Sequence, residues 1–220
     1  MININELEKL DNKTFIELNP NVDISDLTKV NNYLYLGIRP PKQFEKLELV
    51  FKQRKILAAK YLKKYFASYE YNATDEEYIS LLCLDTKKYD NKHIYERYIK
   101  KNICLIINPF INAKKTTLVD FDSWLYIKKN YPKTKNRYSF LDNEYQIYDH
   151  ISIDNLLAIG IPYSYLIENN GYKTAQDTMN NILILMLKYD IDLPLIDTSN
   201  NNRILAESIN LDKKVLKKIK

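Results

Sequence analysis

Glu144 opens an apolar–polar alternation, Tyr145, Gln146, Ile147, Tyr148, which reads as a strand. A carboxylate fixed at the head of a strand lowers the barrier to any reaction that develops positive charge beside it. Asp142 stands two residues before it. Upstream, Arg39 follows the run Tyr33-Leu34-Tyr35-Leu36-Gly37, and its planar guanidinium offers a fork of donors suited to phosphate. Ser80 sits within the apolar run from Tyr78 to Leu84, where a hydroxyl orients its neighbours without filling a slot. Other groups with chemical potential read as structural. Cys83 lies between Leu82 and Leu84, with no base or electropositive setting, and belongs to a core. His93 and His150 are far apart in loop-like or helix-start sequence, give no metal-ligand spacing and read as structural or solvent-facing. The chain has three glycines, and neither G-x-x-x-x-G-K-[ST] nor G-x-G-x-x-G occurs, so a nucleotide site built from a glycine-rich loop is nearly excluded.

The segment DNEYQIYDHISIDNLLAIGIP, from Asp142 to Pro162, resembles the last catalytic segment of ADP-ribosyltransferases. The segment LYLGIRPPKQFEKLELVFKQRKILAAKYL resembles the opening of the same superfamily. The resemblance covers residues 32 to 162. It implies an α+β fold with a mixed or antiparallel two-sheet core, and NAD as a substrate rather than a resident cofactor. It also implies that Arg39 holds the NAD phosphates or ribose, that Ser80 shapes the nicotinamide pocket and that Glu144 is catalytic. Asp142 takes the place of a first acid or amide, and Tyr78 or Tyr145 would stack on nicotinamide. The pattern departs from the family in two places. Ser80 is followed by Leu81-Leu82, without the usual Ser-Thr-Ser, and no histidine precedes His93.

These residues need elements to position them. A chain of 220 residues suits one domain with or without an appendage. Strands are expected at 33–37, 78–84, 103–107, 144–148 and 157–161, from short apolar runs bounded by turn residues. Pro40-Pro41 introduces a helix carrying Phe44, Leu47, Val50 and Phe51 on one face. A second helical piece holds Tyr61, Leu62, Tyr65 and Phe66, and residues 91–100 form a short helix. Residues 69–77 read as a loop, and residues 112–139 as a long loop anchored by Trp124 and Tyr126. Pro162 starts a helix that Asn170-Gly171 ends, and Ala175 to Tyr189 forms the clearest helix, buried around Ile182 to Leu187. Residues 1–30 read as a helical appendage, 31–170 as the main domain, and 171–220 as a helical part packed on it. The tail LDKKVLKKIK reads as a solvated basic helix.

The bulk numbers restrict the function classes. Cys83 and Cys104 lie in apolar runs and read as reduced core thiols, which points to a cytoplasmic, reducing compartment. The longest apolar stretch, Ile182 to Leu187, is far too short to span a bilayer, and the N-terminus lacks the pattern of a secretory signal. A net charge of +5 permits contact with acidic partners without requiring it. The abundant tyrosines offer stacking platforms for single strands, although no glycine-rich RNA-binding motif accompanies them. The leading expectation is an NAD-dependent ADP-ribosyltransferase of toxin or effector type, delivered into a host cell and acting on a protein or nucleic-acid acceptor. No metal and no membrane are expected. The alternative is a non-catalytic host-interaction protein of a phage or mobile element that inhibits a defence complex through tyrosine and arginine anchors.

Overall fold

The computed structural model describes residues 33–66, 77–83, 95–108, 111–130, 138–141, 144–200 and 202–206. The chain is an α+β protein whose centre is β4 (Ile103–Ile107). All five of its residues are buried, as expected for an unbroken apolar run with sheet on both sides. It lies antiparallel between β1 (Leu34–Ile38) and β10 (Leu156–Ile161). Beyond β1 come β3 (Tyr78–Cys83), β8 (Glu144–Tyr148) and the short edge strand β5 (Lys114–Lys115). Beyond β10 come β11 (Leu195–Asp197) and β12 (Arg203–Ala206). The eight-stranded sheet runs β12-β11-β10-β4-β1-β3-β8-β5, and only β10 and β11 pair in parallel.

Four more strands form two ribbons. The first joins β2 (Lys55–Leu57) to β9 (His150–Ser152), and the second joins β6 (Thr117–Leu118) to β7 (Tyr138–Ser139). The strands thus gather in one large sheet and two small ribbons, where two sheets were expected.

Alternation divides the large sheet into two faces. Leu34, Ile79, Leu81, Leu105 and Ile159 join the main core under α1 (Gln43–Gln53) and α5 (Tyr172–Lys188). Tyr35, Cys104, Ile106, Ala158 and Ile196 face the other way and pack with Ile99, next to a helical turn at 95–98. The main core rests on α1 through Leu47 and Phe51, and on α5 through Ala175, Ile182 and Met186. A tie between Glu48, Lys188 (2.7 Å) and the Tyr189 hydroxyl (2.8 Å) fastens the two helices at the surface. The remaining helices are α2 (Ala59–Leu62), α3 (Phe121–Asn130) and α4 (Tyr163–Asn170).

The five expected strands all form, each within a residue or so of its expected ends. Two expectations need correction. Residues 112–139 are not a long loop: they hold β5, β6, α3 and β7, whose short strands carry no apolar alternation to betray them. The C-terminal part is not helical throughout, since β11 and β12 follow α5 and extend the sheet. Their junction is a buried carboxylate. Asp197 is fully buried and accepts hydrogen bonds from the Ser164 amide (3.0 Å) and hydroxyl (2.5 Å) and from the Ser199 amide (3.0 Å) and hydroxyl (2.5 Å). It thereby ties the end of β11 to the first turn of α4, where a negative charge also meets the helix dipole favourably. The expected appendage at 1–30, the loop at 69–77 apart from Glu77, His93 and the basic tail lie outside the described residues.

Candidate functional site

Strands β1 and β3 begin as neighbours and then separate. They pair only at Leu34–Cys83 and Tyr35–Leu82, while β1 stays paired with β4 along its whole length and β3 with β8 from Tyr78 to Leu82. The split between Leu36–Ile38 and the start of β3 opens into a cavity of about 370 Å³. Its walls are apolar, from Leu36, Leu49, Ile56, Leu62, Phe66 and Ile79. Tyr78 and Ser80 of β3 also border it. Arg39, Lys46 and Lys55 stand at it as three cations, and no carboxylate of the described residues lines it. Such a cavity favours a ligand with an apolar or aromatic body and an anionic end.

Local contacts fix the rim. The Gln43 side-chain amide donates to the Ile38 carbonyl (2.7 Å), and the Lys46 ammonium to the Arg39 carbonyl (3.1 Å). The Arg39 guanidinium carbon lies 5.7 Å from the centre of the Tyr98 ring, which Arg97 also approaches, at 5.5 Å. Gly37 is required here. A Cβ at this position would collide with the Tyr98 carbonyl oxygen, so only glycine lets the helical turn lie against β1.

Glu144 stands behind this cavity. Alternation along β8 sends Tyr145 and Ile147 into the main core and turns Glu144 and Gln146 to the opposite face, with Ser80 of β3. Glu144 is 8% exposed, and three side chains hold its carboxylate. Ser80 donates to Oε1 at 2.7 Å, Gln146 to Oε1 at 3.0 Å and Ser139 to Oε2 at 2.5 Å. Thr116 bonds the Glu144 main-chain carbonyl through its amide (3.0 Å) and its hydroxyl (3.1 Å). A buried carboxylate satisfied in this way is held rigidly, and its charge is aimed by its surroundings. Ser80 is the link: the residue borders the cavity, and its hydroxyl donates to the Glu144 carboxylate.

The expected site residues therefore divide. Arg39, Tyr78 and Ser80 share the cavity, and Glu144 touches it through Ser80. Tyr145 does not line the cavity: it packs against the main core, on the face of β8 opposite to Glu144. Asp142 lies outside the described residues. Sequence reasoning missed Lys46, Lys55, Ser139, Gln146 and Thr116. Gln146 was accessible through the period of two from Glu144, and Lys46 lies one helical turn from the start of α1. Ser139 and Thr116 carry no sequence signal, since they reach Glu144 only through the fold. His150 forms a surface pair with Asp149 (2.7 Å), away from Glu144 in the register. Among the described residues no group of three His, Cys, Asp or Glu side chains converges as metal ligands would, and no helix is long and apolar enough to cross a membrane.

A scan against protein-family models finds no match, and searches of curated proteins and of solved structures find none either.

Proposed function

We propose that the chain is an ADP-ribosyltransferase-like enzyme that binds NAD in the split between β1 and β3 and transfers ADP-ribose to a macromolecular acceptor. One observation carries this reading. Arg39, just past the end of β1, Ser80 of β3 and Glu144 of β8 are set apart in sequence yet lie on or beside three neighbouring strands of one sheet, and Ser80 connects the cavity to the buried carboxylate.

Each group has a physical task in this reading. Arg39, with Lys46 and Lys55, meets the diphosphate at the cationic rim. The apolar wall and Tyr78 receive the nicotinamide ring. When the bond from ribose C1′ to the ring nitrogen breaks, its electron pair goes to that nitrogen and neutral nicotinamide leaves. The ribose is left with oxocarbenium character, which the fixed charge of Glu144 stabilises from behind Ser80. The acceptor nucleophile then bonds to C1′ and gives up a proton.

The test is NAD binding and turnover with three variants beside the parent. NAD at 100 times its dissociation constant should stabilise the parent by about 2.7 kcal/mol, read as a thermal shift. Arg39→Ala should mainly weaken binding, because a phosphate contact exists in the ground state as well. Ser80→Ala and Glu144→Gln should cut turnover about 100-fold or more while NAD still binds. Glu144→Gln also places an amide group among three donors, so a stability loss of about 1–3 kcal/mol should accompany it. Full turnover by Glu144→Gln would remove the catalytic assignment. A parent that neither binds nor cleaves NAD would favour the interaction-protein alternative.

A further inference from the structure

Helix α3 is unlike the other long helices of the described chain: none of its residues is buried. Together with β6 it leaves Leu118, Phe121 and Leu125 between 45% and 56% exposed, while Tyr126, two residues from Trp124, points to another side of the helix. This face rests on an aromatic base. Phe121 stacks on Trp124 with centroids 5.8 Å apart, and Phe140 meets both rings edge-on, at 5.1 and 4.8 Å. Lysines accompany it in the same stretch. Lys114 and Lys115 are exposed on the edge strand β5, Lys129 is exposed on α3, and Lys128 lies 4.6 Å from the centre of the Trp124 ring. The only carboxylates on this stretch, Asp120 and Asp122, sit at the start of α3, where Asp120 caps the helix through the Ser123 amide and hydroxyl.

The same stretch reaches Glu144. Lys114 and Lys115 pair with Gln146 and Tyr145 of β8, Thr116 binds the Glu144 carbonyl, and Ser139 of β7, which packs against α3, binds its carboxylate. We propose that the α3 face is a docking surface for a single-stranded nucleic acid, which on the NAD reading above is the acceptor class. Exposed aromatic rings offer stacking faces to any base, and flanking lysines meet the phosphates that run beside them. Charge complementarity selects a polyanion over a neutral partner. Proximity to Glu144 selects a flexible strand, since one strand can splay a base toward the site.

Trp124 is the only tryptophan of the chain, so it reports directly from this face. The full chain is titrated without NAD with an oligothymidylate of about 20 nucleotides, long enough to cover one stacking platform. Quenching of Trp124 fluorescence is expected, with an affinity that falls as salt rises. Phe121→Ala should weaken binding about tenfold, and Lys114→Gln with Lys115→Gln should weaken it and flatten the salt dependence without lowering the melting temperature. Binding that ignores these variants, equal affinity for the corresponding duplex, or tighter capture by phosphatidylserine-containing vesicles would each overturn the proposal. So would the absence of quenching at low salt. A thermal shift with NAD alone keeps the two readings apart. NAD binding without oligonucleotide binding overturns the acceptor class only, and oligonucleotide binding without NAD binding overturns the enzyme reading and leaves the surface standing.

Discussion

Glu144 owes its setting to one neighbour on its own strand and to several from elsewhere. Gln146 follows from alternation, whereas Ser80, Ser139 and Thr116 come from β3, β7 and the link between β5 and β6. The order Arg39, Ser80, Glu144 was legible because each is a polar residue in or beside an apolar strand. Ser139, the donor on the second carboxylate oxygen, and Thr116, on the main-chain carbonyl, were not, because hydroxyls in loop-like sequence carry no period. Cys104 shows the opposite case, a group whose apolar context announced its state. Burial pushes its thiol up from the ordinary 9.0 to about 12. At pH 8, a thiol reagent should therefore modify the half-buried Cys83 and leave Cys104 untouched until the chain unfolds. The sign for stability follows. An unfolded chain releases this proton near 9.0 and the folded chain near 12, so the contribution is intact below 9.0 and is lost as pH rises toward 12. Flat stability between pH 9 and 11 in chemical denaturation would contradict this.

Elements with a strong period were readable, and those with two or three residues were not. The strand β4 begins and ends where its apolar run does, and β8 where its alternation does. The ribbons β2–β9 and β6–β7 are too short to alternate, and only tertiary pairing defines them. Helix α5 shows a subtler limit. Its run Ile182 to Leu187 reads as buried all round, yet it has two sides: Met186 is 0% exposed and Ile184 is 56% exposed. A run of six apolar residues hides the helical period that decides which ones face the core. Met186→Asp should cost about 4 kcal/mol or more, since it buries an unpaired charge, whereas Ile184→Asp should change stability by less than about 0.5 kcal/mol. Thermal melts followed by circular dichroism separate the two. Equal losses would mean that α5 is turned differently on the sheet.

At the scale of the molecule, the strand order was the part least accessible to sequence. Nothing local says that β8 lies beside β3, or that β11 and β12 extend the far edge past β10. That order matters energetically, because one apolar core joins residues from Leu34 to Leu195 and includes side chains of α1, α4 and α5. Cores shared across the chain unfold together. Urea unfolding followed by Trp124 fluorescence and by far-ultraviolet circular dichroism should give one coincident transition, even though Trp124 lies on the outlying α3. Two separated midpoints would show that α3 and its ribbon open before the sheet.

The partial zipper between β1 and β3 leaves backbone of both strands beside an opening inside the sheet that no strand of the described residues fills, although the Ile38 carbonyl accepts from Gln43. Backbone groups are as able to bind a guest as any side chain. Amide hydrogens of β1 and β3 that face this gap should exchange with deuterium faster than those at Tyr35 and Leu82, where the zipper is closed. A guest seated in the gap should slow that exchange at those amides first. Since no substitution removes a peptide bond, part of the affinity of this cleft should survive the loss of Arg39 or Ser80, and with it a memory of the ligand written in the backbone alone.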